Sequence, residues 1–204
     1  MQESRLRWIA WAVALGSFAA ALGAGFAGAL VKVPMPWIAA RVWGGVALLL
    51  AIALGLPGRR TWVGSLRPAA LCLFHTWRIL PGVAFLLLLS AGTLPGPFAR
   101  VAGCGELLVG LSAPLVGFLV PARSRAGRAT LFAWQALGLV ELLGVMGLGI
   151  HLHRESERLL DSMSRFPLFL MPLYAVPVTL AVHVIAGVNL WPFRRLRSGS
   201  RRDA

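Results

Sequence analysis

The chain has 204 residues, 58% of them hydrophobic and only 13% charged, with mean hydropathy +0.76. A soluble domain carries about 25% charged residues, so composition excludes a water-soluble globule. Twenty Lys and Arg against seven Asp and Glu give a net charge of +13, which in a soluble chain would suggest nucleic acid. With the apolar mass in lipid, no nucleic acid partner is expected, and two cysteines without a Cys/His cluster exclude a disulfide framework or structural zinc.

Spanning hydrocarbon takes about 20 apolar residues, and six stretches bounded by charged or turn residues reach that length. The expected fold is therefore all-α, an integral membrane bundle of six transmembrane helices forming one domain. The first helix is expected over 8–31, between Arg5/Arg7 and Lys32. Its length favours a permanent anchor over a cleavable signal, whose apolar core is about 7 to 15 residues. The second, 37–56, stops at the Pro57-Gly58-Arg59-Arg60 break, and the third, 69–94, at Pro95-Gly96-Pro97. The fourth is expected over 101–120. Its clean apolar core, Leu107 to Val120, covers only about 21 Å, so crossing takes Glu106 into the outer part of the membrane. The fifth and sixth are 129–150 and 166–191, the last distorted by Pro167, Pro172 and Pro177. Residues 192–204 form a basic tail with five Arg between Arg194 and Arg202, suited to an anionic leaflet.

The positive-inside rule orients the set. With six spans and both termini cytoplasmic, thirteen of the twenty basic residues fall inside, among them Arg67, Arg123, Arg125 and Arg128. Outside lie Lys32, Arg100, Arg154, Arg158 and Arg165, and Arg41 and Arg78 fall within helices. A re-entrant fourth segment would reverse that excess. Between the fifth and sixth spans, His151-x-His153 and the following charged residues read as a short helix at the outer surface, not a metal site, because ligands at i and i+2 diverge on a helix.

Ionisable groups inside the membrane are the informative class, since each costs about 2.5 to 3.5 kcal/mol at mid-helix. Arg78 and Glu141 are expected about 13 and 18 Å from the cytoplasmic face, within one Arg side chain of each other. Gly138 and Gly144 flank Glu141 on its helical face and would let a neighbour approach. An Arg78–Glu141 pair is expected in the bundle interior, as a structural staple or as part of a proton or ligand path. Arg41 and Glu106, near the outer side, are a second candidate pair. His75 and His183 lie at a similar depth. Two interior hydrogen-bonded histidines is the plainer reading, and axial ligation of a haem, or a metal site, the sharper one. No cofactor or metal is expected, and no catalytic constellation is visible.

Three stretches carry a resemblance. Ala102-Gly103-Cys104-Gly105-Glu106-Leu107 through Pro114, Trp134-Gln135-Ala136-Leu137-Gly138-Leu139-Val140-Glu141, and Phe166-Pro167-Leu168 through Pro172, Val176-Pro177 and His183 occur in one order. Together they resemble a family of uncharacterised bacterial polytopic integral membrane proteins of about 200 residues. Cys104 stands where that pattern has Trp, Gln135 where it has Asn, and Glu106 and Glu141 where it has Asp. The resemblance implies a helical membrane fold and brings no activity, substrate or cofactor. Nineteen Arg against one Lys also suits a GC-rich bacterial genome. The function expected is non-enzymatic: a structural or partner-binding protein of the bacterial cytoplasmic membrane, in contact with the lipid bilayer and with a second copy or another membrane protein. The alternative is a small-molecule or proton-coupled transporter with Arg78, Glu141, His75 and His183 as its polar site.

Overall fold

A computed structural model describes residues 2–31, 33–55, 63–153 and 157–191. Lys32, the break at Pro57-Gly58-Arg59-Arg60, Arg154 and the basic tail lie outside the described residues. The elements are α1 (Gln2–Phe26), α2 (Met35–Gly55), α3 (Pro68–Phe74), a 3-10 turn (His75–Arg78), α4 (Ile79–Ser90), α5 (Gly96–Leu119), α6 (Arg125–His153), α7 (Glu157–Met163), a π turn (Met171–Ala175) and α8 (Val176–Leu190). No strand occurs among the described residues.

Among the described residues five helical stretches are long and apolar enough to cross a membrane: Pro36–Gly55, Pro68–Ser90, Gly96–Leu119, Arg125–Leu152 and Met171–Leu190. They are the second to sixth expected spans. The first differs. Helix α1 ends at Phe26 and residues 27–31 turn with Gly28 at φ +75°, so the helix stops five residues before the expected end at 31. Leu80, Leu87, Leu108, Leu115 and Phe118 are each more than half exposed along the sides of the bundle. An apolar surface of that kind suits hydrocarbon, not water, in keeping with helices long and apolar enough for membrane spans.

Two prolines reshape the backbone at the level of the interior. Pro81 has no N–H for the Trp77 carbonyl, and its ring crowds that carbonyl. The chain tightens just before it into the 3-10 turn, where side chains three apart eclipse. His75 and Arg78 therefore point the same way, and both are fully buried. In the last span Pro177 likewise cannot bond Leu173, and the π turn loosens the helix there. The sixth helix does not begin at residue 166 as expected. Residues 164–169 are turns, and helix starts at Leu170.

Packing runs through α5. Gly96, Gly103, Gly110 and Gly117 recur every seventh residue, a repeat that holds one face toward a neighbouring helix. A Cβ at Gly110 would lie 2.7 Å from the Ile79 backbone nitrogen, and one at Gly82 would lie 2.8 Å from Leu107. Only glycine allows α3 and α4 to come that close. The same face of α5 carries Ala99, Ala102, Glu106 and Ala113, all buried. Gly138 meets His183 in the same manner, whereas Gly144 faces open space and makes no close approach.

Two sets of contacts fix which ends lie together. At one end, Ser162 of α7 donates to the Thr93 carbonyl at 3.2 Å. At the other, Asn189 donates to the carbonyls of Val63 and Leu66, and Arg128 donates to the Asn189 carbonyl at 2.9 Å. Residues 63–66, the start of α6 and the end of α8 thus share one end, and the loop around Thr93 shares the other with α7. Helix α5, which runs back from the α7 end, spans the full thickness. The fifth span is longer than expected, since α6 runs on through His153. His151 and His153 belong to its last turn, and the short helix after it begins at Glu157. That helix is seated on the bundle, with Leu159 buried against Phe85, Leu94, Phe98 and Leu168.

Candidate functional site

Arg78 is the centre of the interior. The guanidinium is a rigid fork of donors, and two of its edges are used by different helices. Nε donates to Glu106 Oε2 on α5 at 2.5 Å, and Nη2 donates to Glu141 Oε2 on α6. The Arg78 side chain has no exposed surface, and those of Glu106 and Glu141 have 8% and 15%. One cation thus ties the third, fourth and fifth expected spans together. Gly110 lets the Arg78–Ile79 backbone against α5, and Gly105 leaves the space in which the Glu141 carboxylate lies.

A second polar chain lies beside the first. The rings of His75 and His183 stack with centroids 4.0 Å apart and 15° between planes. His183 Nδ1 donates to Gln135 Oε1 at 2.6 Å, and Gln135 Nε2 donates to the buried Cys72 thiol at 3.7 Å. Trp134 packs its edge on His75 and donates its indole N–H to Ser112 Oγ at 3.0 Å. Thr179 is buried one turn from His183 on α8. Axial ligation of a haem would require the two imidazoles to aim ring nitrogens at a common iron. Stacked face to face at 4.0 Å, they leave no position for one, so these two residues do not fit a haem. Among the described residues no group of three His, Cys, Asp or Glu could hold a metal ion.

The structure thus brings Arg78 and Glu141 together, and His75 onto His183, but it separates Arg41 from Glu106. Arg41 is exposed on α2 and donates to the Ala29 carbonyl, closing the turn after α1. Glu106 lies on the α5 face that packs on α3 and α4, so its cation is Arg78. Depth along the membrane normal matched the first pair, and the direction around the helix axis decided the second. Cys72 is buried and Cys104 exposed, both as free thiols. Gln135, Trp134 and Asn189 are interior residues with structural partners that charge and depth did not single out. Their signal was present in part, since Trp134, Gln135, Gly138 and Glu141 sit at i, i+1, i+4 and i+7, one helical face.

Two cavities flank this polar core. One, about 120 Å³, lies between α2, α4, α5, α6, α7 and the π turn, and Glu106 is the one polar side chain on its described wall. The other, about 500 Å³, is a groove between α6 and α8 with Gln135 and His183 at its floor and Phe132, Leu139 and Trp191 along its sides. Both are lined almost wholly by hydrocarbon. The polar groups therefore face one another more than they face open space.

No curated protein and no solved structure matches the chain. Residues 64–191 match a family described as a domain of unknown function, DUF8737, and they contain all of Arg78, Glu106, Glu141, His75, His183, Gln135 and Asn189. With that match covering more than half of its 204 residues, the chain belongs to the DUF8737 family.

Proposed function

We propose that the protein is a non-enzymatic, six-span component of the bacterial cytoplasmic membrane that acts by binding. In this reading both termini and the Arg-rich loops face the cytoplasm, α7 faces outward, and the Arg78–Glu106–Glu141 cluster is a structural clamp. The observation that carries it is the convergence of carboxylates from two helices on one fully buried guanidinium, beside cavities walled by hydrocarbon. A path for a polar solute would expose such groups to a wet channel. Partners of such a protein are the bilayer and a second copy or another membrane protein. Replacing Glu141 with Gln tests the clamp. It is expected to lower resistance to unfolding in detergent by about 2 to 3 kcal/mol, the range for a lost charge-assisted bond with a buried partner left behind. Unchanged stability would sink the clamp reading. Reporter fusions after Leu94 and after Val120 test the orientation, with the second, not the first, active in the cytoplasm.

A second reading, proton-coupled transport, rests on a different observation. Two carboxylates share one guanidinium, so one acid is in surplus, and Arg78 Nη1, Glu141 Oε1, both His75 nitrogens and His183 Nε2 are buried without a hydrogen-bond partner. Ionisable groups inside a membrane with unused donors and acceptors are the usual elements of a proton relay. Proton uptake by vesicles containing the protein, lost in Glu141→Gln with folding intact, would favour it over the clamp.

A further inference from the structure

The cavity at Glu106 has a chemistry that the clamp does not use. Its volume, about 120 Å³, is on the scale of a cavity that admits one benzene ring, roughly 150 Å³. Three of the chain's five methionines, Met146, Met163 and Met171, line it together with Phe85 and Phe98. Thioethers adapt their shape and make favourable contacts with aromatic rings, so this wall suits a flat apolar body. Its single polar side chain among the described residues is Glu106, which is only 8% exposed. Glu106 gives one oxygen to Arg78, and Arg78 also serves Glu141. The cluster therefore holds two carboxylates for one cation, and the local field at the cavity wall favours positive charge.

We propose that this cavity is a binding site for a small membrane-soluble amine, an aromatic body of about one ring seated among Met146, Met163, Met171, Phe85 and Phe98 with its ammonium on Glu106. Apolar pockets with one convergent charged group are the usual form of a small-molecule site. An ammonium supplies the missing positive charge and a charge-assisted hydrogen bond, whereas an anion of the same size meets the surplus acid. This goes beyond the clamp, whose own test is stability and not binding.

The experiment uses the full chain in detergent micelles and three probes of one shape: 2-phenylethylamine, neutral 2-phenylethanol and anionic 3-phenylpropionate. Calorimetric titration should show saturable binding of the amine at least about tenfold tighter than the alcohol, with no binding of the acid. Glu106→Gln should bring the amine down to the level of the alcohol. Ala39→Phe, which fills the wall from α2 without touching the Arg78 cluster, should abolish saturable binding of both. Equal binding of amine and alcohol, a preference surviving Glu106→Gln, binding unaffected by Ala39→Phe, or partition into micelles without saturation would each overturn the proposal. If Glu106→Gln does not fold, the wild-type ranking of the three probes and Ala39→Phe decide it.

Discussion

Replacing Arg78 with leucine removes the one cation among the described residues bonded to both Glu106 and Glu141, which makes it the most informative single perturbation. Taking one partner from a buried ion pair costs about 3 to 5 kcal/mol, because the other charge is left uncompensated. Here both Glu106 and Glu141 lose their partner, so the upper part of that range, about 4 to 5 kcal/mol, is expected. At 1.4 kcal/mol per factor of ten, that is about a thousandfold in the ratio of folded to unfolded protein. Titration with SDS in mixed micelles, followed by tryptophan fluorescence, measures it. A compensated variant, Arg78→Met with Glu106→Leu and Glu141→Leu, replaces the whole cluster by hydrocarbon. Such replacements are often neutral or stabilising, so the triple variant should recover most of the loss. Arg78→Leu within about 1 kcal/mol of the wild type would refute the reasoning, and so would a triple variant as unstable as the single one.

Other perturbations read the scaffold around the cluster. Gly110→Ala sets a Cβ 2.7 Å from the Ile79 backbone nitrogen, where nothing flexible can give way, and should cost about 1 to 3 kcal/mol in the same titration; Gly144→Ala, with open space around it, should be neutral within about 0.5 kcal/mol. Asn189→Ala leaves the Val63 and Leu66 carbonyls without their donor and should cost about 1 to 3 kcal/mol, with faster proteolysis at residues 63–67 as the second readout. Trp134→Phe keeps the edge contact with His75 and loses the bond to Ser112, for an expected loss of about 1 kcal/mol.

Much of the fold was legible because hydrocarbon thickness is a strong ruler. Length and polarity alone marked the five stretches long and apolar enough to cross, and Pro95-Gly96-Pro97 marked the end of the third, whereas α5 begins at Gly96, five residues before the expected start at 101. The same ruler paired Arg78 with Glu141 and set His75 level with His183, and the structure goes further by stacking the two rings. It failed for Arg41 and Glu106, which also share a depth, because a ruler along one axis says nothing about rotation. The missing coordinate was in the sequence. Gly96, Gly103, Gly110 and Gly117 mark one face of α5, and Glu106 lies on it, four residues before Gly110, whose backbone touches Ile79 next to Arg78. Extension of α6 through His153 was not legible, because the polar residues after 150 read as part of the short surface helix, which begins only at Glu157. At Cys104 the departure from the resembled pattern falls on an exposed position, while the departures at Gln135, Glu106 and Glu141 all fall on groups that make interior contacts.

The fork on Arg78 also bears on how the chain enters the membrane. Helices leave the ribosome in sequence order. Glu106 lies 28 residues after Arg78, on the very next span, and Glu141 lies 63 residues after it. The hairpin that carries Arg78 and Glu106 can therefore enter the bilayer with that guanidinium already paired, the cost of inserting it alone being met by its first carboxylate. The second carboxylate arrives on α6, to a site already formed. The order of the two acids along the chain is thus an assembly sequence, in which the partner that makes insertion feasible comes before the partner that locks the bundle.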